Sequence, residues 1–202
     1  MALVYKNREL DLQLLDRIDM RRLFAILALT AAVTAHGAET VTLFDGRLTF
    51  TLPDGFAIMP PKLKKLKYPN ANRPKYIYSN TKTTTSIAVN TMEARLTDSQ
   101  LPDFRNFIEK SMKRMVPGCR ILKRDLINLN GTRWAKLELK SNAIDTDIHN
   151  ILLMAALDGQ PVMFNFNATN DEYPRIKKAL EKGINTIRIN KKPSKHVLSR
   201  SQ

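Results

Sequence analysis

The chain contains one cysteine, one tryptophan, three histidines and seven glycines in 202 residues. A lone Cys119 excludes an internal disulfide. Its surroundings, "PGCRILKRD", hold no base that would activate the thiol, so a buried, inert side chain is expected. His36 and His196 lie towards the ends, leaving His149 as the one imidazole inside the folded region. No G-x-S-x-G, phosphate loop, paired cysteine or H-E-x-x-H is present, which removes the common hydrolase, nucleotide and zinc signatures. Acids are scarce as well, with 19 Asp and Glu against 33 Lys and Arg and a formal net charge of +14. The most apolar stretch, Leu23 to Val33, falls short of the roughly 20 residues a membrane-spanning helix needs.

That stretch sits in "MRRLFAILALTAAVTAHGAET", which begins at Met20 and has the parts of a secretory signal. Arg21 and Arg22 form the positive region, Leu23 to Val33 the apolar region, and Ala35-His36-Gly37 an A-x-G cleavage site before Ala38. Residues 1–19 carry four acids and three bases, the wrong balance for such a region, and read as an extension from a start assigned too early. The sequence therefore predicts an extension over 1–19, a signal peptide over 20–37, one domain over 38–190 and a disordered basic tail over 191–202. No cysteine near the cleavage site could carry a lipid. The expected location is the periplasm, with general and twin-arginine export both open. Five basic and four acidic side chains precede Ala38, so the mature chain keeps nearly all the positive charge. Such a charge suits an acidic protein or an anionic membrane surface, and export disfavours nucleic acid.

Alternation in "RLTFTLPDGFAIMP" predicts a strand, a Pro-Asp-Gly turn and a second extended piece. "PPKLKKLKYPNANRP" reads as a long basic loop, its prolines excluding an amphipathic membrane helix. "KYIYSN" and "TTTSIAVNTM" predict a hairpin around Asn80-Thr81-Lys82. A helix is predicted from about Leu101 to Val116, burying Phe104, Phe107, Ile108, Met112 and Met115 and exposing Arg105, Glu109, Lys113 and Arg114. Asn130-Gly131 and Asp158-Gly159 predict hairpins in a meander of about four strands. A capping box, Thr169-x-x-Glu172, opens a last helix that buries Tyr173, Ile176, Leu180, Ile184 and Ile187. The sum is α+β, a central antiparallel sheet flanked by helices.

"FTLPDGF", "LNGTRWAKLEL" and "VMFNFNATNDEYPRIKKALEKGINTIRI" together make the chain resemble the DcrB and PsbP-like group of α/β/α sandwich domains, over about Leu43 to Ile189. That resemblance implies a PsbP-like sandwich and an accessory, chaperone-like or protein-binding role without catalysis. The lipid-anchoring cysteine of DcrB-type lipoproteins is missing, and the lysine-rich stretch departs from the group.

The candidate partner-binding residues are Lys62, Lys64, Lys65, Lys67, Tyr68 and Arg73, with Lys75 and Tyr76 beside them, where lysines can steer an acidic partner and tyrosines add contact area. Trp134 shares the more polar strand face with Thr132, Lys136 and Glu138 and is either an interface anchor or packed beneath a covering element. Asp145, Asp147 and His149 alternate, so a metal or acid–base site is an alternative to a solvated strand edge. Asn165, Asn167 and Thr169 line the polar side of the following strand. No cofactor and no catalysis are expected. The leading expectation is an exported protein-binding domain, in its most concrete form an immunity-type inhibitor of a periplasm-acting toxin such as a type VI secretion effector. An envelope accessory or chaperone-like factor at the membrane surface and a metal-dependent enzyme using His149 are the alternatives. N-terminal sequencing of the exported protein should begin near Ala38; residues 1–19 retained on the mature protein would refute the signal-peptide assignment.

Overall fold

The computed structural model describes residues 38–69, 73–143 and 146–190. The predicted extension, signal peptide and basic tail, together with Asp145, lie outside the described residues. Two antiparallel sheets are present. A small one joins β1 (Thr40–Leu43), β2 (Leu48–Thr51) and β10 (Arg188–Ile189) in the order β1-β2-β10. The larger one contains β3 (Phe56–Ile58), β4 (Tyr76–Asn80), β5 (Thr85–Thr91), β6 (Arg120–Leu129), β7 (Thr132–Asn142), β8 (Asp147–Leu157) and β9 (Gln160–Thr169). Its order is β3-β4-β5-β9-β8-β7-β6, so the predicted four-strand meander β6 to β9 forms one half. Both predicted hairpin turns are found with the two central residues left-handed: Asn130 and Gly131 at φ of 51° and 83°, Asp158 and Gly159 at 54° and 79°. That geometry matches the twist of the flanking strands.

Period-2 alternation in long strands divides apolar residues between the two faces of the large sheet. One face carries Trp134, Ile151, Leu153, Val162, Phe164, Phe166, Ile87 and Val89. The small sheet and helix α3 (Tyr173–Asn185) cover it through Leu48, Phe50, Leu52, Leu180, Ile184 and Ile187. The other face carries Ala135, Leu137, Leu139, Leu152 and Met154, under Leu101, Phe104, Ile108 and Met112 of helix α2 (Leu101–Met115). A third, smaller cluster on that second face joins Met59, Ile77 and Ala88 to Leu63 and Tyr68 of a short helix α1 (Pro61–Lys67) and its end. The α+β sandwich is thus as predicted, while β1 and β10 and their separate sheet are additional.

Four local expectations change. The basic stretch is not all loop: Pro60 caps α1 and Pro61 takes its first position, where a missing N–H costs nothing. In α2 the buried stripe is rotated, with Phe107 and Met115 exposed and Glu109 buried. The cause is Arg124 on β6, whose Nε and Nη2 donate to the two Glu109 oxygens at 2.6 and 2.7 Å. With Lys113 at 2.7 Å as well, these cations hold the Glu109 carboxyl down at about 2. At the last helix, Thr169 closes β9 and Glu172 occupies the cap position; the Glu172 N–H reaches Thr169 Oγ1 at 3.4 Å, so the motif makes a turn ahead of the helix. Finally, Trp134 is 0% exposed. Its ring lies edge-on to Phe164 at 5.9 Å beneath the small sheet, so it belongs to the core and offers no surface for a partner.

Trp134→Ala should therefore lower unfolding free energy by about 3–5 kcal/mol in denaturant titration, the usual cost of emptying a large aromatic site. A loss below about 1 kcal/mol, the range of surface substitutions, would contradict this placement.

Candidate functional site

From Gly55 to Met92 the chain has no Asp or Glu, but it has Lys62, Lys64, Lys65, Lys67, Arg73, Lys75 and Lys82. The fold gathers much of this run at one end. Lys64 Nζ donates to the Lys75 carbonyl at 2.9 Å, and Lys67 Nζ to the Thr83 carbonyl at 2.6 Å in the β4–β5 turn. Lys75 in turn places its ammonium 5.4 Å from the ring centres of both Phe44 and Tyr76. Lys64 and Lys67 thus fasten α1 to the sheet, and Lys75 ties the start of β4 to the β1–β2 turn. Lys62, Lys65 and Lys82 are exposed and make no hydrogen bond or ion pair among the described residues. Leu66, beside Lys62 on the outer side of α1, is 77% exposed, and Ile58 nearby in sequence is 67% exposed. A basic surface with apolar points is the result. Tyr68 packs half-buried against Met59, Ile77 and Ala88, so its ring supports α1, and Arg73 is half-buried.

Behind α1 the second sheet face is unevenly covered. α2 spans β6 to β8 and α1 covers β4 and β5, leaving β9 between them with Met163, Asn165, Asn167 and Thr169 half-exposed. At the α1 end of this strip is an open groove of about 480 Å³, lined among others by Lys67, Tyr68, Lys82, Ser86, Asn167 and Thr169. Ser86 Oγ donates to Asn167 Oδ1 across the β5–β9 ladder. Asn165 Oδ1 is buried without a partner among the described residues. The polar side of β9 therefore forms a groove floor and does not cap α3.

His149 lies on the opposite face. The β7–β8 register sets it against Lys140 and diagonal to Glu138. His149 Nε2 is 2.8 Å from Glu138 Oε1, and the Tyr173 hydroxyl donates to the same oxygen at 3.4 Å. Tyr173 also stacks flat on the imidazole, centre to centre 3.5 Å. Asp147 is exposed, and among the described residues no group of three His, Cys, Asp or Glu could hold a metal. The fold thus pairs His149 with Glu138 and Tyr173, whereas the sequence had suggested Asp147. The missed partners lie 11 and 24 positions away, and only strand register joins them. Burial pushes His149 below its ordinary value against the opposing pull of Glu138, with Lys140 and Lys177 adding to the depression. Tyr173 is pushed up to about 12, by burial first and then by Glu138. A neutral imidazole covered by a protonated phenol gives neither an open coordination position nor an exposed base. Cys119, half-buried, is likewise held above its usual range by burial.

No helix among the described residues is long and apolar enough to cross a membrane. No protein-family model matches this chain, and no curated protein matches its sequence. Solved structures do share its fold. PsbP of the cyanobacterium Synechocystis superposes with a TM-score of 0.57 at 10% identity, over 80% of this chain and 96% of that one. LpqN of Mycobacterium tuberculosis, described as involved in cell envelope biogenesis, gives 0.54 at 13% identity over 76% and 90%. The Ran-binding protein Mog1p of Saccharomyces cerevisiae gives 0.51 at 14% identity over 75% and 95%. The likeness establishes the fold as PsbP-like.

The His149 cluster has a sign that can be checked. A histidine kept neutral by burial contributes stability that is complete above its ordinary 6.5 and is lost as pH falls through the lower folded value. Melting temperature should therefore drop as pH is lowered below 6.5. The drop should be smaller in His149→Gln, and an identical pH profile in that variant would contradict the assignment.

Proposed function

We propose that this chain is an exported, non-catalytic binding protein whose basic end docks on an acidic protein partner. The observation that carries this reading is the acid-free run Gly55–Met92, which α1 and the β4–β5 turn condense into one surface with Lys62, Lys65 and Lys82 unengaged and Leu66 exposed. Unpaired lysines steer an approaching acidic surface, and an exposed leucine among them supplies apolar area once contact is made. The interior placement of His149 and Glu138 supports a role without catalysis. The PsbP-like fold adds an analogy, since proteins sharing it include one described as Ran-binding and one described as involved in cell envelope biogenesis. In its most specific form the proposal is an immunity-type inhibitor, in which this surface occludes the acidic cleft of a periplasm-acting toxin such as a type VI secretion effector.

A second reading, an accessory factor resting on an anionic membrane surface, draws on Ile58 and Leu66, the two most exposed large apolar side chains among the described residues. One pair of measurements separates the two. The purified protein is tested for capture of a periplasmic enzyme with loss of that enzyme's activity, and for sedimentation with vesicles containing phosphatidylglycerol. Inhibitory capture should be stoichiometric, and reversing the unengaged Lys62 and Lys65 to Glu should slow association about tenfold or more at low salt with little change in folding. Sedimentation with anionic but not neutral vesicles, without enzyme capture, would favour the membrane reading. An association rate and salt dependence untouched by charge reversal would refute docking through α1.

A further inference from the structure

The groove between α1 and β9 differs in chemistry from the outer side of α1. Its lining contains no Asp or Glu among the described residues. It is instead rich in donors. Lys67 is held in place by the Thr83 carbonyl, and Lys82 stands free beside it. The Asn167 Oδ1 atom is occupied by the Ser86 hydroxyl, which leaves the Asn167 Nδ2 without a partner among the described residues. One step along the same face, the Oδ1 of half-exposed Asn165 is buried, so the amide nitrogen is the end directed outward. Thr169 Oγ1 accepts from the Glu172 N–H and keeps its own hydroxyl proton to give. A hollow with ammonium and amide donors and no carboxylate in its described lining is complementary to oxyanions.

The shape adds a direction. Asn165 and Asn167 are two residues apart on one strand face, about 7 Å, which is also the repeat of an extended peptide. The half-exposed strip of β9 runs from Thr169 past Asn167 to Asn165, and ends where Met163 packs against the cluster under α2. A volume of about 480 Å³ lies in the range of small-ligand and side-chain pockets.

We infer that this groove binds a carboxylate presented by an extended acidic segment of the protein partner, the segment lying along β9 with its anionic side chain against Lys67, Lys82 and Asn167. This deepens the docking reading above and rests on it. It divides the basic end into two parts: the outer lysines of α1 attract, and the groove behind them selects.

The test is a titration of the isotopically labelled protein with hexaglutamate, followed by amide chemical shifts, with sodium acetate and inorganic phosphate in parallel. Hexaglutamate should produce saturable shifts at Ser86, Asn167 and Thr169. Lys82→Glu should weaken that binding by about tenfold or more, the usual cost of losing and reversing a charged hydrogen-bond partner. Asn167→Asp, which keeps the side chain's size and its acceptor for Ser86 Oγ, should weaken it as strongly while leaving the melting temperature nearly unchanged. Saturable shifts confined to Lys62, Lys65 and Leu66, with the groove silent, would overturn the groove assignment and leave docking through α1 intact. Absence of shifts at both places would count against both. Acetate or phosphate saturating the groove as tightly as hexaglutamate would overturn the extended segment in favour of a free-anion site.

Discussion

The fold turns on the edge-to-face contact between Phe50 of β2 and Phe164 of β9, whose ring centres are 5.2 Å apart. Phe164 also stacks on Phe166 at 5.6 Å and receives Trp134 edge-on, while Phe50 meets Tyr78 at 5.8 Å. One small strand is thereby keyed to three neighbouring regions of the large sheet. A three-stranded sheet as short as β1-β2-β10 has too little area to persist alone, so its existence depends on this cluster. The same cluster fixes which face of the large sheet is dry, and so leaves the other for α2, α1 and the groove.

The two faces are closed by different means, and the candidate site follows from that difference. The first receives a sheet and a full helix, and its residual polar group, His149, is sealed by Tyr173 and Glu138. The second receives α2 over one half and only a seven-residue helix over the other. Because α1 is short, it half-buries Leu63 and leaves Leu66 exposed, and it stops before reaching β9. The exposed basic surface and the donor-lined groove are both consequences of an incomplete second layer. The outer edge strand β6 is interrupted by a bulge between Ile121 and Lys123 and carries Arg120, Lys123, Arg124 and Asp125, features that discourage strand addition there.

How much of this was legible depends on the range of the interaction. Hairpins at Asn130-Gly131 and Asp158-Gly159 are local, and the sequence alone located them. Helix α2 was legible as a helix but not in its rotation, because Glu109 is drawn inward by an arginine on the next strand, a partner no helical period contains. α1 was hidden by its own prolines, which break a helix in its interior but suit its first turn. The sequence left Trp134 open between an interface anchor and a covered core position, because alternation assigns a side and not the depth of what covers it. The candidate site was half visible: the lysines stand in one run, whereas the Ser86–Asn167 pairing joins positions 81 apart and exists only once β5 and β9 are in register.

β10 pairs with β2 through Arg188 to Thr49 and Ile189 to Leu48, and Asn190 and Arg47 exchange hydrogen bonds across a separation of 143 residues. The first strands of the domain are thus finished by its last. While the chain is being made, β2 waits with one edge unpaired and Phe50 without β9 beneath it. Such long-range closure is slow and comes last. The order of synthesis consequently leaves this edge open until Arg188 and Ile189 are available, so the small sheet is completed only when nearly the whole domain has been made.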